Sequence, residues 1–419
     1  MRVLLIAVAG LGLFGQTLTL EEAKAAALRN HPGIQAAEFG AEAAGERILQ
    51  AESALRPVLS ANITGAGAAD ASRVAAGALN NPIIYSRLAL GATVTQTVTD
   101  FGRTRELVAS SKISSQAERE RVKATKADIL LQVERAYFQA LRSHAVTEIA
   151  KSTIESRQLL VDQVEALVNA KLKSGLDLSF ASTNLAEGKL LLASAQNEEQ
   201  AAMAMLAEAM GSREPVTQAL TDVPMPETIG ADRNKLTEEA LRMRPELAAG
   251  RLDTEAAQRL ANAEHALRYP TISAVATAGV IPARVDNLSS NYVAGGVNVS
   301  LPFLNGGLFK SRQREAALRA AQAEKRVRQM ENAVSRDVAV ALLDVTTAEE
   351  RLGLTTQLIA QAAQAVELAQ SRYDLGLSSI VELSQAQLVK TNAEIQSATA
   401  RYDYQLRRAV LDFRTGTIQ

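Results

Sequence analysis

Two stretches of this chain share one internal ruler. Pro32 and Pro57 are separated by the same interval as Pro245 and Pro270, and the flanking residues repeat as well. Leu18 to Ala23 is echoed by Leu236-Thr237-Glu238-Glu239-Ala240, and Leu55-Arg56-Pro57 by Arg268-Tyr269-Pro270. A duplicated plan limits the fold strongly, because each copy must bury its apolar face against its sister or against further copies.

Within each copy the pattern alternates between helix and strand. Thr19-Leu20-Glu21-Glu22 is a capping-box pattern that opens a short helix to Asn30. Pro32 restarts the helix and Pro57 ends it, since the residue before a proline is driven out of the helical region. From Arg103 the chain runs without Pro or Gly to Gly175, then returns from Leu178 to Met210. A helix of roughly 70 residues would be about 100 Å long, which no single globular domain requires. Pro215, Pro224 and Pro226 then break the pattern. The expected organisation is a signal peptide over 1–15, a first module over 16–210, a linker over 211–235 and a second module over 236–419.

The second long helix carries a nearly unbroken 4,3 repeat: Val334, Val338, Ala341, Val345, Ala348, Leu352, Thr355, Ile359, Ala362, Val366, Ala369, Tyr373. A 3.5-residue period predicts knobs-into-holes packing on a neighbouring helix. The matching seam of the first copy runs from Ile129 through Val133, Ala140, Ile154, Arg157 and Val161 to Val168, and it is interrupted by polar residues. Each long helix ends at a turn, Ala170 to Leu176 in one copy and Arg372 to Leu377 in the other. The Gly175-Leu176 and Gly376-Leu377 pairs mark the two turns as counterparts.

Four segments read as strands: Leu59 to Ala66, Leu88 to Val98, Thr271 to Val280 and Tyr292 to Phe303. Leu88, Leu90, Ala92, Val94 and Val98 share one face, and Ala89, Gly91, Thr93, Thr95 and Thr97 the other. Val293, Val297, Val299, Leu301 and Phe303 likewise oppose Ala294, Gly296, Asn298 and Ser300. Their lengths suit a tilted crossing of an outer membrane, for which about 9–11 residues are needed. Tyr85 and Tyr292 near strand starts, with Phe101 and Phe303 at strand ends, are expected to form a thin aromatic girdle. Four strands cannot close a barrel, and an open edge in lipid leaves backbone groups unsatisfied, so the chain is expected to oligomerise. A soluble sheet packed on one face would show the same alternation.

Composition narrows the function classes. Aromatic residues make up 4% of the 419 with no Trp, which disfavours a compact globular core, whereas Ala, Leu, Glu, Gln and Arg at helical spacing suit long packed helices. A formal net charge of -1 with interspersed signs argues against a nucleic-acid partner. With 0 Cys there is no disulfide, no thiolate chemistry and no lipidated N-terminal cysteine. Met1-Arg2 followed by the apolar run Val3 to Phe14 fits a secretory signal, too short to span a bilayer.

Candidate chemistry is sparse. Asp100-Phe101-Gly102 matches a kinase metal-binding triplet but lacks a glycine-rich phosphate loop and the catalytic-loop triplet, so it reads as a strand-to-helix turn, as does Asn305-Gly306-Gly307. His31, His144 and His265 are dispersed, with no i,i+4 pair, so no metal site is expected. Met203, Met205 and Met210 near a helix end read as packing rather than soft-metal ligands. Glu21-Glu22, Glu198-Glu199 and Glu349-Glu350 are adjacent and point to different helix faces. No nucleophile, base and orienting group assemble, so neither catalysis nor a cofactor is expected.

The ordered set of features (the Leu-Thr-Leu-Glu-Glu-Ala opening, helices ended by Pro, paired strands, glycine-containing turns into long helices, the Gly-Leu turns and the duplication) resembles the outer-membrane efflux proteins of the TolC family from Thr19 to Gly416. That resemblance implies a mainly α fold with membrane β-strands: a homotrimer whose twelve strands form one β-barrel continuous with a periplasmic α-barrel. It implies a passive exit duct in the outer-membrane lipid for efflux or type I secretion, joined through a periplasmic adaptor protein to an inner-membrane transporter. By the same resemblance, Gly175, Leu176, Gly376 and Leu377 would be adaptor-docking turns, and Tyr373, Glu382 and Gln385 would lie at the entrance constriction. Ser378 and Gln385 stand where the family has a basic and an acidic partner, which disfavours a salt-bridged lock. A periplasmic adaptor and a soluble coiled-coil structural protein are the alternatives; the equal spacing in two full modules disfavours the first, and the four strands disfavour the second.

Overall fold

A computed structural model of the protein describes residues 17–69, 85–227, 230, 232–284, 286 and 288–418. The signal-peptide expectation over 1–15 lies outside the described residues. The elements run α1 (Leu20–Asn30), α2 (Pro32–Ser53), β1 (Val58–Ala66), β2 (Arg87–Thr99), α3 (Arg103–Asn169), α4 (Gly175–Ala209), α5 (Arg233–Met243), α6 (Pro245–His265), β3 (Thr271–Arg284), β4 (Asn291–Ser300), α7 (Leu308–Asp374) and α8 (Ile380–Thr415). No helix among the described residues is long and apolar enough to cross a membrane.

The duplication is carried into three dimensions without a gap. α3 and α7 both contain 67 residues. Arg103 and Leu308, Asn169 and Asp374, and Gly175 and Ile380 are each 205 positions apart (308 less 103, 374 less 169, 380 less 175). Asp100-Phe101-Gly102 is a strand-to-helix turn, with Phe101 at φ 54° and Gly102 at φ 94°. Its Asp100 carboxylate caps α3 by accepting from the Thr104 backbone N–H at 2.8 Å. Gly306 and Gly307, at φ 61° and 86°, make the same turn into α7.

Two compact units cut across the two sequence copies. One comprises 1–37, 122–245 and 331–419, and the other 38–121 and 246–330. In the second unit the strands form one antiparallel sheet in the order β1-β2-β3-β4, so β1 and β4 are its edges. The register sets Ile63 opposite Leu90 and Leu59 opposite Val94 on one face, with Ala278 opposite Val293 and Ala274 opposite Val297. This face is open: Ile63 is 74% exposed and Val293 85%. The other face is small and polar, and there Thr93 and Thr277 hydroxyls meet at 3.2 Å.

That face also holds Tyr292, which departs from the girdle expectation. Tyr292 pairs with Gly279, which pairs with Gly91, and a Cβ on either glycine would overlap the phenol ring. The ring lies flat across two strands because both glycines leave it room. β4 also stops at Ser300, short of Phe303, because Pro302 has no N–H to give the ladder. Below the sheet, Lys112 meets Glu52 at 2.8 Å, the Ser110 hydroxyl donates to the Ala256 carbonyl at 2.8 Å, and Arg312 meets Glu264 at 2.8 Å. These contacts join α2, α3, α6 and α7.

In the first unit the predicted seams are buried. Val338 is fully buried and Val345, Ala362 and Ala369 nearly so, and Val133, Ala140 and Val164 do the same in α3. The largest apolar cluster gathers Ala27, Ile34, Tyr137, Phe138, Leu206 and Phe413 from α1, α2, α3, α4 and α8. The Tyr137 hydroxyl reaches the Leu18 carbonyl at 2.8 Å and the Thr221 carbonyl at 2.7 Å, fixing the proline-rich segment over the cluster. A backbone bridge from Leu18 to Leu220 completes that attachment. The Thr19–Glu22 capping box is present. Its echo is not used: α5 is capped by Asp232, and Thr237 sits inside the helix with its hydroxyl on the Arg233 carbonyl at 2.9 Å. An Asp placed five residues earlier captured the helix start, as Asp does readily at that position.

Candidate functional site

The tips of the two helical hairpins, α3–α4 and α7–α8, both lie in the first unit. The second tip ends α7 with a Schellman closure. Leu377 N–H donates to the Arg372 carbonyl at 2.8 Å and Gly376 N–H to the Tyr373 carbonyl at 3.0 Å. Gly376 takes the left-handed conformation at φ 73°. The first tip closes identically, with Leu172 N–H on the Leu167 carbonyl at 2.8 Å and Lys171 N–H on the Val168 carbonyl at 2.9 Å. Its left-handed residue is Lys171, at φ 61°.

Gly175 is therefore not the counterpart of Gly376. It is the first residue of α4, behind Ser174, whose hydroxyl accepts from Leu176 N–H at 3.1 Å while the Asp177 carboxylate accepts from Ser174 N–H at 3.2 Å. The constant offset pairs Lys171-Leu172 with Gly376-Leu377, and Asp177 with Glu382. Four leucines project from the two tips: Leu172 is 70% exposed, Leu176 63%, Leu375 74% and Leu377 67%.

The three residues assigned to a constriction are divided between two surfaces. Tyr373 is buried, packed with Val161, Val164, Ala181, Ile380 and Leu383 where the two hairpins meet. Its hydroxyl finds no hydrogen-bond partner among the described residues, and burial, then the charges of Asp177 and Asp374, push its pKa up. The Lys173 ammonium of the first turn lies 4.2 Å over its ring. Glu382 and Gln385 instead line an open groove on the α7–α8 hairpin with Leu368, Arg372 and Val389. Glu382 is ion-paired there with Arg372 at 3.2 Å. Unlike Asp177, it does not cap its own helix, and Ser379 makes no side-chain cap.

Arg372, Lys171 and Lys173 are the participants that the sequence did not single out. Arg372 lies in the turn stretch itself, but nothing in the sequence marked Glu382, on the next helix, as its partner. Lys173 had no signal either, because its partner is 200 positions away (373 less 173).

Other candidates resolve into structure. Among the described residues no group of three or more His, Asp or Glu side chains is placed to hold a metal. His144 pairs with Glu199 at 2.7 Å, and the His31 ring accepts from Gly33 N–H at 3.0 Å. Met203 and Met210 pack on the main apolar cluster.

A four-stranded antiparallel sheet with an exposed apolar face, attached to paired helical hairpins, defines a class of channel-forming outer-membrane protein. Solved structures share this fold: CusC matches with a TM-score of 0.81 over 95% of this chain and 92% of its own, at 19% identity. VceC of Vibrio cholerae matches with a TM-score of 0.77 over 95% and 96%, at 20% identity. In sequence, the outer membrane protein TolC of Escherichia coli K12 is 22% identical over 436 aligned positions, covering 99% of this chain and 85% of that protein. The family model described as outer membrane efflux protein matches residues 25–212 and 236–417, one match on each copy. The chain belongs to the outer membrane efflux protein family. It is an outer-membrane exit duct of efflux systems with a helical extension into the periplasm, and its family is one of channels rather than enzymes.

Proposed function

We propose that three copies of this chain close one twelve-stranded β-barrel and a periplasmic α-barrel, forming a passive duct for efflux or type I secretion. The observation that carries this reading is the sheet itself. β1 and β4 are unpaired edges, and the face bearing Leu59, Ile63, Val293 and Val297 is exposed. In lipid, each unpaired backbone group at such an edge costs several kcal/mol, and only closure with further strands removes the edge. On the helices, Leu343 and Leu354 of α7 and Leu190 of α4 are also exposed, as lateral contacts between copies require.

In this duct the tips around Lys171-Leu172, Gly175-Leu176 and Gly376-Leu377 dock a periplasmic adaptor that leads to an inner-membrane pump. Their projecting leucines on rigid turns support that role. Glu382 and Gln385 face the entrance, where three Glu382 carboxylates favour cations, tempered by Arg372. Membrane fractionation with heat-modifiable gel migration tests the reading. Recovery of the protein from the outer membrane in a heat-modifiable form is expected, and recovery from the soluble periplasm would overturn it.

A further inference from the structure

Within the first unit, the seam between the two hairpins is apolar toward the tips, around Tyr373, and apolar again around Tyr137. Between these clusters it turns polar. The Thr153 and Thr391 hydroxyls meet at 3.3 Å across the seam, and the Asn184 amide donates to the Ser384 hydroxyl at 2.6 Å. α3 and α8 run antiparallel here, so one helical turn toward the tips from the threonine pair brings Arg157 level with Gln387.

Arg157 occupies a seam position and is only 6% exposed. Its stem packs beside Gly188 of α4, where a Cβ would stand 3.5 Å from the Arg157 Cδ, an ordinary contact distance. The guanidinium donates to the Asn184 carbonyl. The one carboxylate in salt-bridge reach among the described residues is Glu187, at 3.9 Å and itself 60% exposed. A buried charge held so loosely is poorly compensated, since water screens the partner and not the arginine. Burial accordingly lowers the arginine's pKa.

Beside it is a cavity of about 50 Å³ lined by Thr153, Arg157, Gln387, Lys390, Thr391 and Glu394. The lining carries two cations, Arg157 and Lys390, against the single carboxylate of Glu394, which stands 3.7 Å from the Lys390 ammonium and beyond hydrogen-bond distance, so a net positive charge remains and Lys390 keeps its donors free for a guest. The Gln387 Oε1 is buried without a hydrogen-bond partner among the described residues. An amide is equally well placed with its oxygen and nitrogen exchanged. In that orientation its NH2 donates into the cavity beside Arg157. The volume exceeds what one water needs and suits one small ion.

We propose that this cavity binds a small monovalent anion of halide size, held by Arg157, the Gln387 amide and the Lys390 ammonium. An ion there supplies the countercharge that the seam lacks and ties α3 to α8 midway along the hairpins. This site is independent of adaptor docking and of the entrance groove.

The test uses purified full-length protein in detergent, melted by circular dichroism in sodium chloride and in sodium gluconate at equal ionic strength. The expected result is a saturable rise of the melting midpoint with chloride in the native protein and none in Arg157→Met. Lys390→Met removes a cation without altering the packed seam, and it should shift the half-saturating chloride concentration several-fold higher. Crystals grown in bromide should show one anomalous peak in the cavity. A midpoint indifferent to chloride, equal chloride dependence in all three proteins, or a cavity holding only water would overturn the proposal.

Discussion

Gly376→Arg separates the fold of the second tip from its use. No atom beyond its chain neighbours lies within 4 Å of the place where a Cβ would stand on Gly376, so a side chain can leave this turn without a clash at its root. What remains is the backbone term, since φ is 73°, and a left-handed conformation costs a non-glycine residue about 1–2 kcal/mol. Lys171 already bears this cost at the equivalent turn, at φ 61°. Against a typical stability of about 5–15 kcal/mol, that loss leaves the folded population nearly unchanged. Gly376→Arg is therefore expected at normal levels in the outer membrane while efflux fails, because the new side chain projects into the space an adaptor tip must occupy. Gly376→Ala carries the same backbone cost without the bulk and should keep efflux. The assay is drug tolerance in cells that depend on this duct, with immunoblots of the membrane fraction. Normal tolerance with Gly376→Arg would refute docking at this turn. Loss of the protein from the membrane would refute the steric reasoning instead.

Lys171→Gly should raise the melting midpoint, because it relieves about 1 kcal/mol of left-handed strain without disturbing any buried group; an unchanged or lower midpoint would count against the shared turn geometry. In planar-bilayer recordings under a salt gradient, Glu382→Ala should reduce cation preference and Arg372→Ala should increase it. Reversal potentials that do not move in either variant would remove this pair from the permeation path. Tyr137→Phe should cost about 1 kcal/mol by removing the hydroxyl donor from the Thr221 carbonyl, while the Leu18 carbonyl keeps the Thr221 N–H, read from denaturant midpoints. Burial pushes the Tyr137 phenol up to about 12, above its ordinary 10, so its contribution is complete below pH 10 and is lost as pH rises toward 12. The stability gap between the native protein and Tyr137→Phe should close over that window, and a gap that widens there would contradict the assignment.

The sequence carried the periodic and repeated features best. The seam from Val334 to Tyr373 is buried at most positions, with Leu352, Ile359 and Val366 half-buried, because a 3.5-residue period leaves one choice of face. The strands appeared where alternation is strict, since a one-residue slip would turn Leu90 and Val94 to the polar side. Positions decided by single conformations were harder to read. Glycine marks left-handed turns so often that Gly175 stood in for Lys171, although the lysine takes that conformation. Asp232 displaced the repeated Thr237 as the cap of α5 because capping depends on which side chain reaches the first free N–H groups. Tyr292 lies on the small, polar face because Gly279 and Gly91, distant in sequence, vacate the space beneath it. The pairs Arg372–Glu382 and Lys173–Tyr373 needed the hairpins folded before either partner could be recognised.

Closure of the sheet by further copies is the central claim, and native mass spectrometry of the protein extracted from outer membranes tests it most directly. Three copies per particle, surviving mild detergent and lost on heating, are predicted. A monomer with its β1 and β4 edges unpaired, or a protein found only in the soluble periplasm, would contradict the account.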